Sequence, residues 1–101
     1  MEKRALLQAV ADRLGISEDV LIRESLLSFL QARKRLLMAE RFEILSRYGV
    51  HSAEELRERM EAGTLPEHPT WEDYIELTNL EDELRLLEEQ RATLTGWFKI
   101  C

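Results

Sequence analysis

Apolar residues recur along this chain at helical rather than strand spacing, from near its amino end almost to its last residue. Leu6, Leu7, Val10 and Leu14 mark a first amphipathic segment over residues 4–14. Gly15 closes it at the position where a left-handed residue ends a helix, and Ile16 can fold back onto the last turn. Ser17 caps a second segment whose first turn, Glu18 and Asp19, suits the positive end of the helix dipole. No breaker follows until Gly49, so the second helix runs for about 31 residues, or ~46 Å at roughly 1.5 Å per residue. Its early apolar positions, Val20, Ile22, Leu26, Leu27, Phe29 and Leu30, occupy more than one face. Burial on two sides is the expectation, and with it an intertwined homodimer whose interface holds Ile22, Leu26, Phe29 and Leu30. Later in the same helix come Leu36, Leu37, Phe42, Ile44, Leu45 and Tyr48.

Ser52 with Glu55 reads as a capping box, predicting a short third helix to Met60 or Glu61. Residues 63–69 contain two prolines and form a rigid loop, since proline removes a donor and biases its predecessor to extended backbone. Thr70 with Asp73 then predicts the cap of a fourth helix, which opens on Trp71, Tyr74 and Ile75 and continues to about Thr95. In it Leu77, Leu80, Leu84, Leu87 and Leu94 form an a/d seam, with Arg91 in the remaining a position. Glu76, Glu81, Glu83, Glu88, Gln90 and Thr95 flank the seam, so two parallel copies would set Glu against Glu along its edges. The seam therefore favours a different, basic partner, with Trp71, Tyr74, Leu77, Leu80, Leu84, Leu87 and Arg91 as its contact residues. Arg91 has two readings: a solvated residue where the seam ends, or a register-setting charge whose mate lies on the bound protein.

These elements predict an all-α protein: a single helical domain over 1–101, a bundle of four helices, two of them long. Residues 5–49 supply the dimerising helices, 50–69 the short helix and Pro loop, 70–95 the acidic Leu-seam helix and 96–101 an apolar tail after Gly96. Composition agrees, because 34 % charged residues and only six Gly plus Pro suit long solvated helices. Net charge is −6 but unevenly distributed. Residues 1–49 carry nine Lys/Arg against seven Asp/Glu (+2), and residues 50–101 carry five against thirteen (−8). An acidic half disfavours non-specific binding to nucleic acid or to an anionic membrane. The basic concentration at Arg33, Lys34 and Arg35, with Arg41 and Arg47 beyond it, has two readings. It is a solvated face, or it meets the acidic edge of residues 76–90 within one chain or between two.

Residues 5–31 resemble the two helices of the ribbon-helix-helix family, through Leu-Gly-Ile-Ser at 14–17, Leu-Ile-Arg-Glu at 21–24 and the apolar residue at 27. The resemblance implies two protomers interlocked through these helices. In that family a preceding strand enters the DNA major groove, and here only four residues precede the matching stretch. The rest of the chain, from Arg-Tyr-Gly-Val at 47–50 through Pro-Glu-His-Pro-Thr-Trp-Glu-Asp at 66–73 to the acidic Leu helix, resembles small prokaryotic antitoxin-like proteins. That implies a dimerising amino-terminal half and a partner-binding carboxy-terminal half.

Catalytic chemistry is not expected. His51 and His68 lack a second ligand at metal spacing, and the carboxylate pairs Glu54/Glu55, Glu81/Asp82/Glu83 and Glu88/Glu89 sit at adjacent positions that point different ways. No Ser, Thr or Cys has a partnered His, and no Gly-rich phosphate loop is present, so neither an enzyme nor a cofactor or metal is expected. The lone Cys101 forms no internal disulfide and supports no thiolate metal set. Without an apolar signal region or a membrane-length span, the expected location is the cytoplasm. The functional expectation is a protein–protein interaction module, antitoxin-like, neutralising a toxin through its acidic carboxy-terminal helix. One alternative is a ribbon-helix-helix repressor that uses Arg33, Lys34 and Arg35, with Lys3 and Arg4, for phosphate. Another is a structural or adaptor bundle.

Overall fold

The computed structural model describes residues 2–100, with side chains through residue 98. Every element is helical: α1 (Lys3–Leu14), α2 (Glu18–Tyr48), α3 (Ala53–Glu61) and α4 (Glu67–Ile100). The all-α class expected from the sequence is the class observed. Cys101 and the Ile100 side chain, both assigned to the apolar tail, lie outside the described residues.

Local signals account for most of the boundaries. Gly15 takes φ 71°, and the Ile16 amide reaches back to the Ala11 carbonyl at 3.0 Å while Gly15 bonds Asp12, which is the Schellman closure. Gly49 repeats it at φ 65°, where the Val50 amide bonds the Leu45 carbonyl at 3.1 Å and the Val50 side chain is buried beneath the turn. Ser17 Oγ accepts from the Val20 amide and Ser52 Oγ from the Glu55 amide, each at 3.1 Å. Glu55 completes its box one residue early: its carboxylate accepts from the His51 amide at 2.8 Å.

Two predicted boundaries of the fourth helix are corrected. His68 is extended (φ −114°, ψ 129°) and Pro69 follows it through a cis peptide bond, so the continuous helix starts at Pro69 rather than at a Thr70 cap. Proline suits a first helical position, where its missing N–H would have no partner. Thr70 is consequently inside the helix and fully buried, and the Asp73 carboxylate turns to α2 instead of capping. At the other end the helix does not break at Gly96 but continues to Ile100. One helical glycine costs only about 1 kcal/mol, and continuing lets Phe98 pack edge-on against Trp97 with ring centroids 4.7 Å apart. The Arg23 guanidinium lies 5.8 Å from the Phe98 ring centroid, so the tail returns to the start of α2.

α2 and α4 form a long antiparallel hairpin. Arg33 reaches Glu83, Arg41 reaches Glu81 and Arg47 reaches Asp73, a sequence that descends along α4 as it ascends along α2. α3 packs on α4 at the Gly49 end and α1 on α2 at the other. The core is confined to the α3 end: Leu37, Ile44, Leu45, Val50, Ala53, Leu56, Leu77 and Leu80 are buried together. Beyond it Ala11 is the one buried apolar residue among those described. The molecule measures 60 × 28 × 20 Å with a radius of gyration of 19.7 Å, against about 13 Å for a compact domain of 100 residues.

Candidate interaction surfaces

The α4 seam packs first of all against the chain's own second helix. Leu77 is fully buried, Leu80 is 6 % exposed, and Leu84 and Leu87 are partly buried against the same cluster. As partner contacts Leu77 and Leu80 are thus corrected to core residues, because α2 already covers the face they present. The apolar periodicity was legible, but not what it packs against. The acidic edge likewise meets the basic stretch within one chain: Arg33 Nε and Nη2 lie 3.1 and 2.9 Å from Glu83 Oε1, and Arg41 Nε lies 3.0 Å from Glu81 Oε2.

Those pairs also decide where the proposed phosphate contacts stand. Arg33 is engaged by Glu83, and Lys34 lines a narrow crevice with Leu87, Glu88 and Arg91, while Arg35 is exposed. The three residues do not present a common cationic surface. At the amino end of α2, where the helix dipole and free N–H groups favour an anion, the carboxylates Glu18 and Asp19 occupy the first turn. Arg91 is half exposed and pairs with Glu88 on its own helix, at 2.6 Å to Oε1; this hydrogen bond is the leading cause that holds the Glu88 carboxyl below its ordinary range.

A junction at the α3 end joins α2 to α4. The Tyr48 hydroxyl donates a short hydrogen bond to Asp73 Oδ2, which also accepts from Arg47 Nη1 at 3.0 Å. Burial, then the bond to Asp73, push the Tyr48 hydroxyl above its ordinary 10.0, with the Thr70 hydroxyl acting the other way. Thr70 Oγ1 itself is buried without a well-formed hydrogen bond among the described residues.

Among the described residues, two exposed surfaces bear on interaction. The first is the amino-terminal end. Of the expected dimer contacts, Phe29 is 67 % and Leu26 45 % exposed, and Ile22 and Leu30 are partly buried. Leu36 extends the stripe: Ile22, Leu26, Phe29 and Leu36 follow at steps of four, three and seven, which is one helical face. Leu6, Val10 and Leu14 of α1 are also exposed. Leu6, Val10, Leu14 and Leu36 fall within residues 5–49, expected to supply the dimerising helices, but were not among the four contacts singled out there.

The second surface is a cleft of about 820 Å³ between α3 and the start of α4. Met60 and Glu61 form one wall, and Glu67, Trp71, Glu72 and Tyr74 the other. Trp71 is half exposed and stacks on Tyr74 with ring centroids 5.4 Å apart. Two side chains at the cleft already engage carboxylates, Arg57 Nε with Glu61 Oε1 at 3.0 Å and His68 Nδ1 with Glu72 Oε1 at 2.9 Å. Glu72 sits below its ordinary range through its own backbone amide and then His68. Trp71 and Tyr74 were expected as partner contacts of the fourth helix, and Tyr74 also packs partly against the core, while the wall from α3 was not foreseen.

Among the described residues no group of three His, Cys, Asp or Glu is placed to hold a metal ion, and no helix is long and apolar enough to cross a membrane. The chain belongs to the uncharacterized protein MJ0235 family, whose sequence model matches residues 1–96. No curated protein and no solved structure matches it.

Proposed function

We propose that the chain is a homodimeric protein–protein interaction module of antitoxin-like type. The observation that carries this reading is the one-sided core: half of the α2–α4 hairpin, with α1, has almost no buried apolar residue of its own while presenting Leu6, Val10, Leu14, Leu26, Phe29 and Leu36 to solvent. Burying a large aliphatic or aromatic side chain is worth about 1.5–3 kcal/mol, so a surface of this kind favours a protein occupant. A second copy suits it, since an isologous contact places the same apolar stripe on both sides. The carboxy-terminal half then keeps Trp71 and Ile75, both exposed, for a partner of different sequence. Because the Leu77–Leu80 part of the seam is interior, that partner meets α4 at its amino-terminal turns rather than along the seam.

Expression of the adjacent gene's product, alone and with this chain, tests the antitoxin-like role. Growth arrest by the product alone, relieved by the wild-type chain and not by a Trp71→Ala variant that folds normally, is the expected result. A product that does not affect growth, or relief that is unchanged by Trp71→Ala, contradicts the reading.

A further inference from the structure

We infer that the Trp71 cleft receives an arginine side chain from a basic segment of the partner protein, a reading that rests on the interaction role proposed above. A half-exposed indole held in place by stacking on Tyr74 offers a rigid aromatic face, the best side-chain surface for a cation. Charge around it has one sign in excess: Glu61, Glu67 and Glu72 line the cleft against the single guanidinium of Arg57. Arg57 and His68 occupy two of those carboxylates, and Glu67 has no ion pair among the described residues. The cleft therefore combines a π face with spare acceptor capacity. The surrounding half of the chain, at −8, attracts cations from a distance.

Arginine fits this combination better than lysine. Its planar guanidinium stacks flat on an indole while its N–H groups remain free in the plane for carboxylates, whereas an ammonium is compact and more strongly hydrated. The fold makes the same pairing at its opposite end, where Arg23 lies over Phe98. An 820 Å³ cleft is also large enough for the side chain together with part of the backbone that carries it.

Fluorescence anisotropy of a fluorescein-labelled peptide with three arginines alternating with glycines, titrated with the full chain at physiological salt, tests the inference. Its lysine counterpart serves as the charge-matched control. Saturable binding of the arginine peptide is expected, about fivefold tighter than the lysine peptide. Trp71→Leu, which keeps apolar bulk and loses the π face, should weaken it about fivefold, and Trp71→Phe should retain part of the affinity. Glu67→Gln should weaken binding and Glu89→Gln, also exposed but remote on α4, should not. Circular dichroism establishes that each variant is folded. Equal binding of the two peptides, no effect of Trp71→Leu, or equal losses for Glu67→Gln and Glu89→Gln would overturn the inference. Sedimentation of the same samples separates the claims. A monomer that binds the arginine peptide rejects the homodimer and keeps the cleft, and a dimer that does not bind it rejects the cleft alone. Dissociation of a dimer by Trp71→Leu assigns the cleft to a second copy and overturns the inference.

Discussion

Arg41 and Glu81 meet where three helices join. Arg41 Nε lies 3.0 Å from Glu81 Oε2, the Ala53 amide at the start of α3 reaches the same oxygen at 3.4 Å, and Arg41 Nη2 donates to the His51 carbonyl at 3.1 Å. Both side chains are under a third exposed, so the pair is screened less than Arg33–Glu83. Glu81→Ala removes an acceptor shared by two helices and should cost about 2 kcal/mol. Glu83→Ala breaks a more exposed pair with Arg33 and should cost under about 1 kcal/mol. Urea denaturation of the two variants, compared with the parent, measures both.

Gly49 and Gly96 should respond to the same substitution with opposite signs. A Cβ at either position meets no atom, so space does not decide. Gly49 adopts φ +65°, and alanine there should destabilise by about 1–2 kcal/mol. Gly96 is helical, and Gly96→Ala should stabilise by about 0.5–1 kcal/mol through reduced freedom of the unfolded chain. Thermal melts monitored by circular dichroism read both signs.

Tyr48 makes stability fall at alkaline pH. Its folded hydroxyl titrates above the ordinary 10.0, because burial and the Asp73 carboxylate disfavour the phenolate. Between those values the unfolded chain releases a proton that the folded chain keeps. The stabilisation is therefore complete below pH 10 and is lost as pH rises through the folded pKa. Tyr48→Phe should flatten that alkaline loss, and absorbance of the folded protein near 295 nm should show one of its two tyrosines ionising late. Parallel alkaline melting curves for the variant and the parent would contradict this account.

Leu36 and Leu37 are neighbours in sequence with separate roles. Leu37 is 1 % and Leu36 60 % exposed. Leu37→Ala should cost about 2–5 kcal/mol by leaving a cavity in the core. Leu36→Ala should leave the fold of the single chain intact and weaken self-association instead. Denaturation at two protein concentrations distinguishes them, since only the second effect depends on concentration.

The parts of this structure that were legible in the sequence are those set by local chemistry. Ser17, Ser52, Gly15 and Gly49 each act within a few residues, and each boundary they predict is observed. The Thr70–Asp73 box failed because Asp73 has stronger partners, Arg47 and Tyr48, more than twenty residues away, which a local signature does not register. Gly96 failed as a breaker for a related reason: the penalty of one glycine is small beside the packing of Trp97 and Phe98 that follows it. The Leu77–Leu87 seam was visible as an apolar stripe, but a stripe does not state its mate. A short connection through α3 brings α2 alongside first, and the matching of Arg33 and Arg41 to Glu83 and Glu81 holds it there. The cleft lay furthest from the sequence, since its two walls come from separate helices joined by the Pro loop.

The central claim is that the amino-terminal end of the hairpin is completed by a second copy, and sedimentation equilibrium at micromolar concentration tests it most directly. The account predicts a species of twice the 11.9 kDa chain mass, reduced to the single-chain mass with helical content retained in a Leu26→Glu, Phe29→Glu double variant. A wild-type chain that is helical and monomeric under those conditions would contradict it.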